Sequence, residues 1–417
     1  MDGAEPRRVA APGVRLPRRT GRGRQDVPGQ PRRSAGRPPA PRRRDDHARG
    51  GVVTRTALRP DPAFDVGADR FVAALHAEAR LREADAPSVF ASVDRSRQVI
   101  ADVVGAAEPG RPVDAPVVII GLLRTGTTLL HNLLALHESL HGPALWELAD
   151  PLAAAGDPRH YAEVRDQAQR YVDEYNEKSP DLRSIHYLQA DRPDECHRLL
   201  INTFHSMVLE MRYRVPSYGE WLHQQDLTVP YQWHRHQLEL LMSRRSTPDG
   251  TALTPVLKCP FHTWFLPELV SAYPNARFVH LHRDPAKAIT STASLCRAVR
   301  SARTDELDLP EIGAFWRDRI VPLTEQLAHG RDELVSGRPV LDLRYEELVA
   351  DTEGSLRAVL DFLGLPMTDR FLGRARAYLA ANGQRSQGTH RYATAEFGLD
   401  PTALRAATSD YCKRFDV

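Results

Sequence analysis

Between Gly121 and Thr128 the chain reads Gly-Leu-Leu-Arg-Thr-Gly-Thr-Thr. Two glycines spaced this way and followed by hydroxyl residues mark a loop whose backbone N–H groups wrap an anion at the positive end of a helix. Triphosphate-binding loops carry lysine directly after the second glycine. Here Thr127 stands in that place, and the positive charge belongs to Arg124 within the loop. No acid follows a later strand in the position that holds magnesium, since Asp342 falls inside its strand. A loop of this kind suits a single phosphate with a short anionic extension better than a metal-bound triphosphate.

The elements around the loop are those of an α/β nucleotide-binding domain. Pro116–Gly121 is a β-branched apolar run of strand length, and Thr127–His137 is a helical stretch. A second strand–helix unit runs through Ala276–His282, with Asp284 as N-cap and Pro285 in the first helical turn. A third runs through Pro339–Tyr345 into a helix from about Glu346 to Gly364. Residues 51–110 read as a helical lead-in, with amphipathic stretches over Phe71–Leu81 and Val89–Val104. Residues 111–417 form the main domain, and 151–246 a mostly helical insertion rich in Trp, Tyr and His. The expected fold is a parallel sheet with helices on both faces, a three-layer P-loop-like core with that insertion over its strand ends.

Composition narrows the setting. The 417 residues carry a formal charge of +2, but residues 1–50 hold 14 Arg against 5 acids, or +9, leaving −7 for the rest. A mildly acidic body argues against a nucleic-acid partner. The first 50 residues also contain eight Pro, seven Gly and no aromatic, so the stretch is expected to be disordered. Cys196, Cys259, Cys296 and Cys412 show neither CxxC spacing nor a zinc pattern, which fits a reducing compartment and no metal. The most apolar window, Val117–Leu136, is broken by Arg124, His131 and Asn132, and no signal sequence is visible. A soluble, cytoplasmic protein without a membrane span is expected.

The run Gly121–Leu134 resembles the 5′-phosphosulfate loop of the sulfotransferases that use 3′-phosphoadenosine 5′-phosphosulfate (PAPS) as donor. That family's second signature is a strand-end Arg followed by Ser eight residues on, matched by Arg283 and Ser291. Leu257–His262, Leu343–Leu348, Phe362–Pro366 and His390–Tyr392 are similar to its bacterial branch. The resemblance spans roughly residues 55–417 and implies a PAPS-dependent sulfotransferase acting on a hydroxyl or amine of a small-molecule, lipid or carbohydrate acceptor, without metal. It implies that Gly121, Arg124, Thr125, Gly126, Thr127 and Thr128 bind the 5′ end of the donor. Arg283 and Ser291 would hold its 3′-phosphate, and Arg391 and Tyr392 would also contact it. Arg124 and Lys258 would stabilise charge on the leaving group.

A base must take the acceptor's proton. Family members place it either on a His two residues after the strand-end lysine, which here is Pro260 with His262 two further on, or on a Glu after the loop helix, here Glu147. Glu147 is preferred to His262; His131 and His197 follow and read equally as packed histidines. The aromatics Tyr213, Tyr218, Trp221, Tyr231 and Trp233 either line an acceptor pocket or pack a helical core. Competing readings are a P-loop kinase or hydrolase with an atypical loop, which the missing loop lysine opposes, and a non-catalytic nucleotide-binding protein.

Overall fold

The computed structural model describes residues 61–106, 110–182, 188–382 and 394–417. The basic stretch 1–50 and the expected donor contacts Arg391 and Tyr392 lie outside the described residues.

Five strands form one parallel sheet in the order β2-β3-β1-β4-β5. They are β1 (Val117–Gly121), β2 (Leu140–His141), β3 (Thr254–Lys258), β4 (Arg277–His282) and β5 (Val340–Arg344). The central strand β1 is buried along its whole length, as a parallel strand covered on both faces must be. Its side chains alternate between two cores. Val118 and Ile120 join a large cluster with Leu257 and Phe278, while Val117 and Ile119 join Leu130, Leu133 and Leu134 of the loop helix on the opposite face. That period of two places helices on both sides of the sheet, as the apolar strand runs imply.

The sequence units are found in place with shifted ends. The loop helix is Thr127–Leu134, shorter than expected. The helix after β4 begins at Pro285, with Asp284 accepting from the Ala286 N–H at 2.8 Å. The single helix expected from Glu346 to Gly364 is two, Tyr345–Ala350 and Thr352–Leu363. They divide at Asp351, whose side chain turns back to cap the second by accepting from the Gly354 N–H. The short edge strand β2 was not expected.

The lead-in consists of helices Pro62–Glu78 and Ala86–Gly105. It docks on the insertion: the Phe71 ring lies 5.6 Å from Tyr213 and 5.3 Å from Tyr218, edge-on. Within the insertion, Tyr218, Tyr231 and Trp233 are core residues rather than pocket walls. No helix among the described residues is long and apolar enough to cross a membrane.

Candidate active site

Parallel strands deliver their C-terminal ends to one edge of the sheet, where ligands of open α/β folds bind. The loop after β1, Lys258 at the end of β3, and Arg283 just after β4 all meet there. The loop is anchored from beneath. Gly121 N–H donates to Thr263 Oγ1 at 3.2 Å, and that hydroxyl lies 3.0 Å from the Gly121 carbonyl. Thr125 Oγ1 closes the turn by donating to Leu122 O at 2.8 Å. Two loop residues are left-handed, Gly126 at φ 91° and Arg124 at φ 68°. For Arg124 that conformation costs about 1 kcal/mol or more and is held only because the loop is fixed around it. At Gly126 a Cβ would lie 2.7 Å from the Tyr345 ring, so the glycine is required twice over.

Cationic and hydroxyl side chains gather in two groups about this loop. In the first, Arg124 Nε donates to Ser291 Oγ at 3.1 Å, and Arg283 donates to the Arg124 carbonyl at 2.7 Å. The Arg283 guanidinium lies 4.4 Å over the Tyr345 ring, and its Nε is buried with no hydrogen-bond partner. Arg124, Arg283 and Ser291, 167 residues apart at the extremes, therefore form one cluster. In the second group Lys258 Nζ donates to Glu195 Oε1 at 2.8 Å and lies 3.3 Å from Thr128 Oγ1. Lys258 is 1% exposed, whereas the Glu195 side chain keeps 14%. The Cys196 N–H donates to the Lys258 carbonyl at 3.1 Å, which fixes the Glu195 segment along the end of β3.

The two expected bases are both engaged elsewhere. Glu147 is buried in the short helix Leu145–Ala149 and bridges three partners: Arg245 at 2.6 Å, His141 at 2.9 Å and the Ala144 N–H at 2.7 Å. Burial pushes its pKa up, but His141, Arg245 and the Ala144 amide outweigh that and hold it below the ordinary carboxylate value. His262 is buried with both ring nitrogens in use, Nδ1 on the Tyr231 hydroxyl at 2.8 Å and Nε2 on Cys196 Sγ at 3.0 Å. Burial lowers its pKa well below normal, with neighbouring histidines adding to the effect. Of the fallback residues, His131 is held neutral by burial at a pKa of about 3 and bonds the Val256 carbonyl. His197, lowered to about 4 by burial, stands with Nδ1 3.1 Å from Glu195 Oε2.

Glu195 is the carboxylate that sequence reasoning passed over. Its only local signal is the acidic pair in Asp194-Glu195-Cys196-His197; nothing in spacing announces a meeting with a lysine 63 residues away. The sequence also shows no metal-ligand spacing, yet the fold gathers Cys196, His234 and His262, and separately His280, His282 and Asp342. In the second set Arg331 is ion-paired to Asp342, whose Oδ1 also lies 2.9 Å from His282 Nε2. A guanidinium on the carboxylate works against a cation there.

Residues 116–369 match the sulfotransferase family model. The chain belongs to the sulfotransferase family. Over 278 residues it is 30% identical to the omega-hydroxy-beta-dihydromenaquinone-9 sulfotransferases Stf3 of Mycobacterium bovis and Mycobacterium tuberculosis, covering 64% of this chain and 67% of those. Its fold is shared with crystal structures of sulfotransferase STF9 from Mycobacterium avium (TM-score 0.69, 22% identity, 88% of this chain and 99% of that one) and STF1 from Mycobacterium tuberculosis H37Rv (TM-score 0.66, 24% identity, 83% and 92%). The loop, with its two side-chain groups, is thus set in a sulfotransferase.

Proposed function

We propose that this sulfotransferase uses PAPS as donor and a hydroxyl group of a lipid-like small molecule as acceptor, with Glu195 as general base. The observation that carries the donor reading is the buried, unpartnered Nε of Arg283 beside a loop built for an anion. An orphaned guanidinium donor is costly unless an acceptor arrives, and a phosphate oxygen is the natural one. The residues present therefore fit the donor. The loop amides from Gly126 to Thr128 and Arg124 would hold its 5′ end. Arg283 and Ser291 would hold the 3′-phosphate.

When bound, the donor supplies a sulfuryl group whose departure leaves negative charge on a phosphate oxygen. Lys258 and the loop amides stabilise that charge in a site shielded from water. Lys258 also fixes Glu195 by a 2.8 Å hydrogen bond. The partly exposed Glu195 carboxylate accepts the acceptor's proton as the new S–O bond forms. The chemistry otherwise depends on positioning, as in phosphoryl transfer. A hydroxylated acceptor is supported by the Stf3 relatives, whose name specifies an omega-hydroxy compound.

Thermal shift with 3′,5′-adenosine bisphosphate, ATP and ATP–Mg²⁺ tests the donor reading. A rise in Tm with the bisphosphate and little with the others is expected; an equal or larger shift with ATP–Mg²⁺ would overturn it in favour of a triphosphate site.

A further inference from the structure

Away from the loop, the lead-in helices and the insertion line a partly open cavity of about 530 Å³. One part of its wall is apolar, with Phe71, Val89, Val93, Leu148 and Val164. Another part presents three guanidinium groups, Arg198, Arg212 and Arg303, among the rings of Tyr171, Tyr175 and Tyr213. None of the donor-loop residues lines it.

The charges in that wall are not balanced. Arg198 pairs with Asp194 at 2.5 Å. Arg212, half-buried, has no hydrogen bond or ion pair among the described residues. Among the described residues Arg303 has no carboxylate partner either. It sits over the rings of Tyr175 at 4.7 Å and Tyr213 at 5.3 Å, hydrogen-bonds the Tyr175 side chain, and reaches the Val299 carbonyl at 3.5 Å. The acids in the lining are committed elsewhere. Asp85 is held by Arg82 and Lys178, Glu174 by Lys178, and Asp102 by Gln98, while Asp150 caps the helix starting at Pro151. The local field is visible on Tyr171. Burial would raise its pKa, yet Arg212, Arg303 and Arg198 bring it down to about 8.

A half-buried guanidinium without a counter-ion is unfavourable, and its desolvation is offset when an anion enters. A cavity of this size with a long apolar wall accepts an alkyl or prenyl chain. We propose that this cavity is a binding site for an amphiphile with an acidic head group, a carboxylate or a phosphate ester, held by Arg212 and Arg303 with its chain along Val89, Val93 and Val164. The helix His197–Ile201 ties the site to the reaction centre. Its Arg198 and Ile201 line the cavity, and its first residue, His197, stands against Glu195.

The test needs no turnover and so stands apart from the donor reading. Decanoate, decyl phosphate, decanol and decyltrimethylammonium, all below their micelle concentrations, are titrated into the full chain by calorimetry. The two acids should bind at least tenfold more tightly than the alcohol, and the cation should bind weakest. Whichever acid binds more tightly identifies the head group as carboxylate or phosphate ester. Arg212→Gln should reduce the preference for acid over alcohol about tenfold, and Arg303→Gln should do likewise. An unchanged Tm and far-UV circular dichroism spectrum in each variant shows that the fold is intact. Equal binding of acid and alcohol, or a preference untouched in an intact Arg212→Gln protein, would overturn the proposal.

Discussion

Replacing Glu195 by Gln isolates the proposed base. The amide keeps the size of the side chain and still offers Lys258 an oxygen at the present 2.8 Å position, so the segment along β3 should stay in place. What it loses is the ability to take a proton. Loss of a general base costs about 10²–10⁴-fold, equivalent to about 2.7–5.4 kcal/mol at 1.36 kcal/mol per tenfold change. The fall should appear in kcat at saturating donor and acceptor. Removing a negative charge beside Lys258 should leave affinity for 3′,5′-adenosine bisphosphate unchanged or stronger, because Lys258 gains freedom to face the donor's anion. The assay is single-turnover sulfuryl transfer to an accepted alcohol, with bisphosphate titration of the same protein. A Glu195→Gln enzyme within threefold of wild type would refute the assignment. So would a fall in rate matched by an equal fall in bisphosphate affinity, which would mean that Glu195 only shapes the donor site.

Glu147→Gln should behave oppositely, with Tm falling and the rate of the folded fraction little changed. Stripping one partner from a buried ion pair costs about 3 kcal/mol or more, and denaturant melts would read it. The pH dependence has a definite sign. A carboxylate with a lowered folded pKa stabilises the fold above its unfolded pKa and loses that contribution as pH falls through the folded value. Wild type should therefore lose stability in acid more steeply than Glu147→Gln. Arg283→Ala removes both the Arg124 carbonyl contact and the buried Nε donor, and should weaken bisphosphate binding by about 2–4 kcal/mol in calorimetry. Turnover should persist in excess EDTA, since no step proposed here uses a metal; an absolute magnesium requirement would reverse that reading.

Much of the frame was legible because its signals are local. An apolar β-branched run such as Val117–Gly121 has few alternatives to a buried strand, and Asp284-Pro285 starts a helix by short-range geometry. The two-residue β2 carries too little pattern to be read, and the break at Asp351 depends on one side chain turning back on its own helix. The placement of the two expected bases was not legible for a different reason. Glu147 sits in the right stretch of chain, but its carboxylate turns inward to Arg245, contributed by a residue 98 positions on. Glu195 becomes a candidate only when a strand end supplies Lys258. Which carboxylate is buried in an ion pair and which is left partly exposed is decided by tertiary contacts, and no period or spacing encodes it.

On the proposed function, the lysine missing from the loop is replaced in space rather than in sequence. At Thr127 a lysine would have risen from the loop helix itself. Instead the parallel register sets Lys258 of β3 beside Ile119 of β1, and its ammonium reaches Thr128, one residue past the vacated position. A lysine that is 1% exposed needs a counter-charge at all times. Glu195 provides one at 2.8 Å. With the donor in place, its anionic oxygens would take over part of that role. The same lysine would then loosen its hold on Glu195 as the site fills, and a carboxylate less tightly paired is a stronger base. On this reading, moving the cation from the loop to the neighbouring strand does more than preserve anion binding. It would also link occupancy of the proposed donor site to the proton affinity of Glu195, the proposed base.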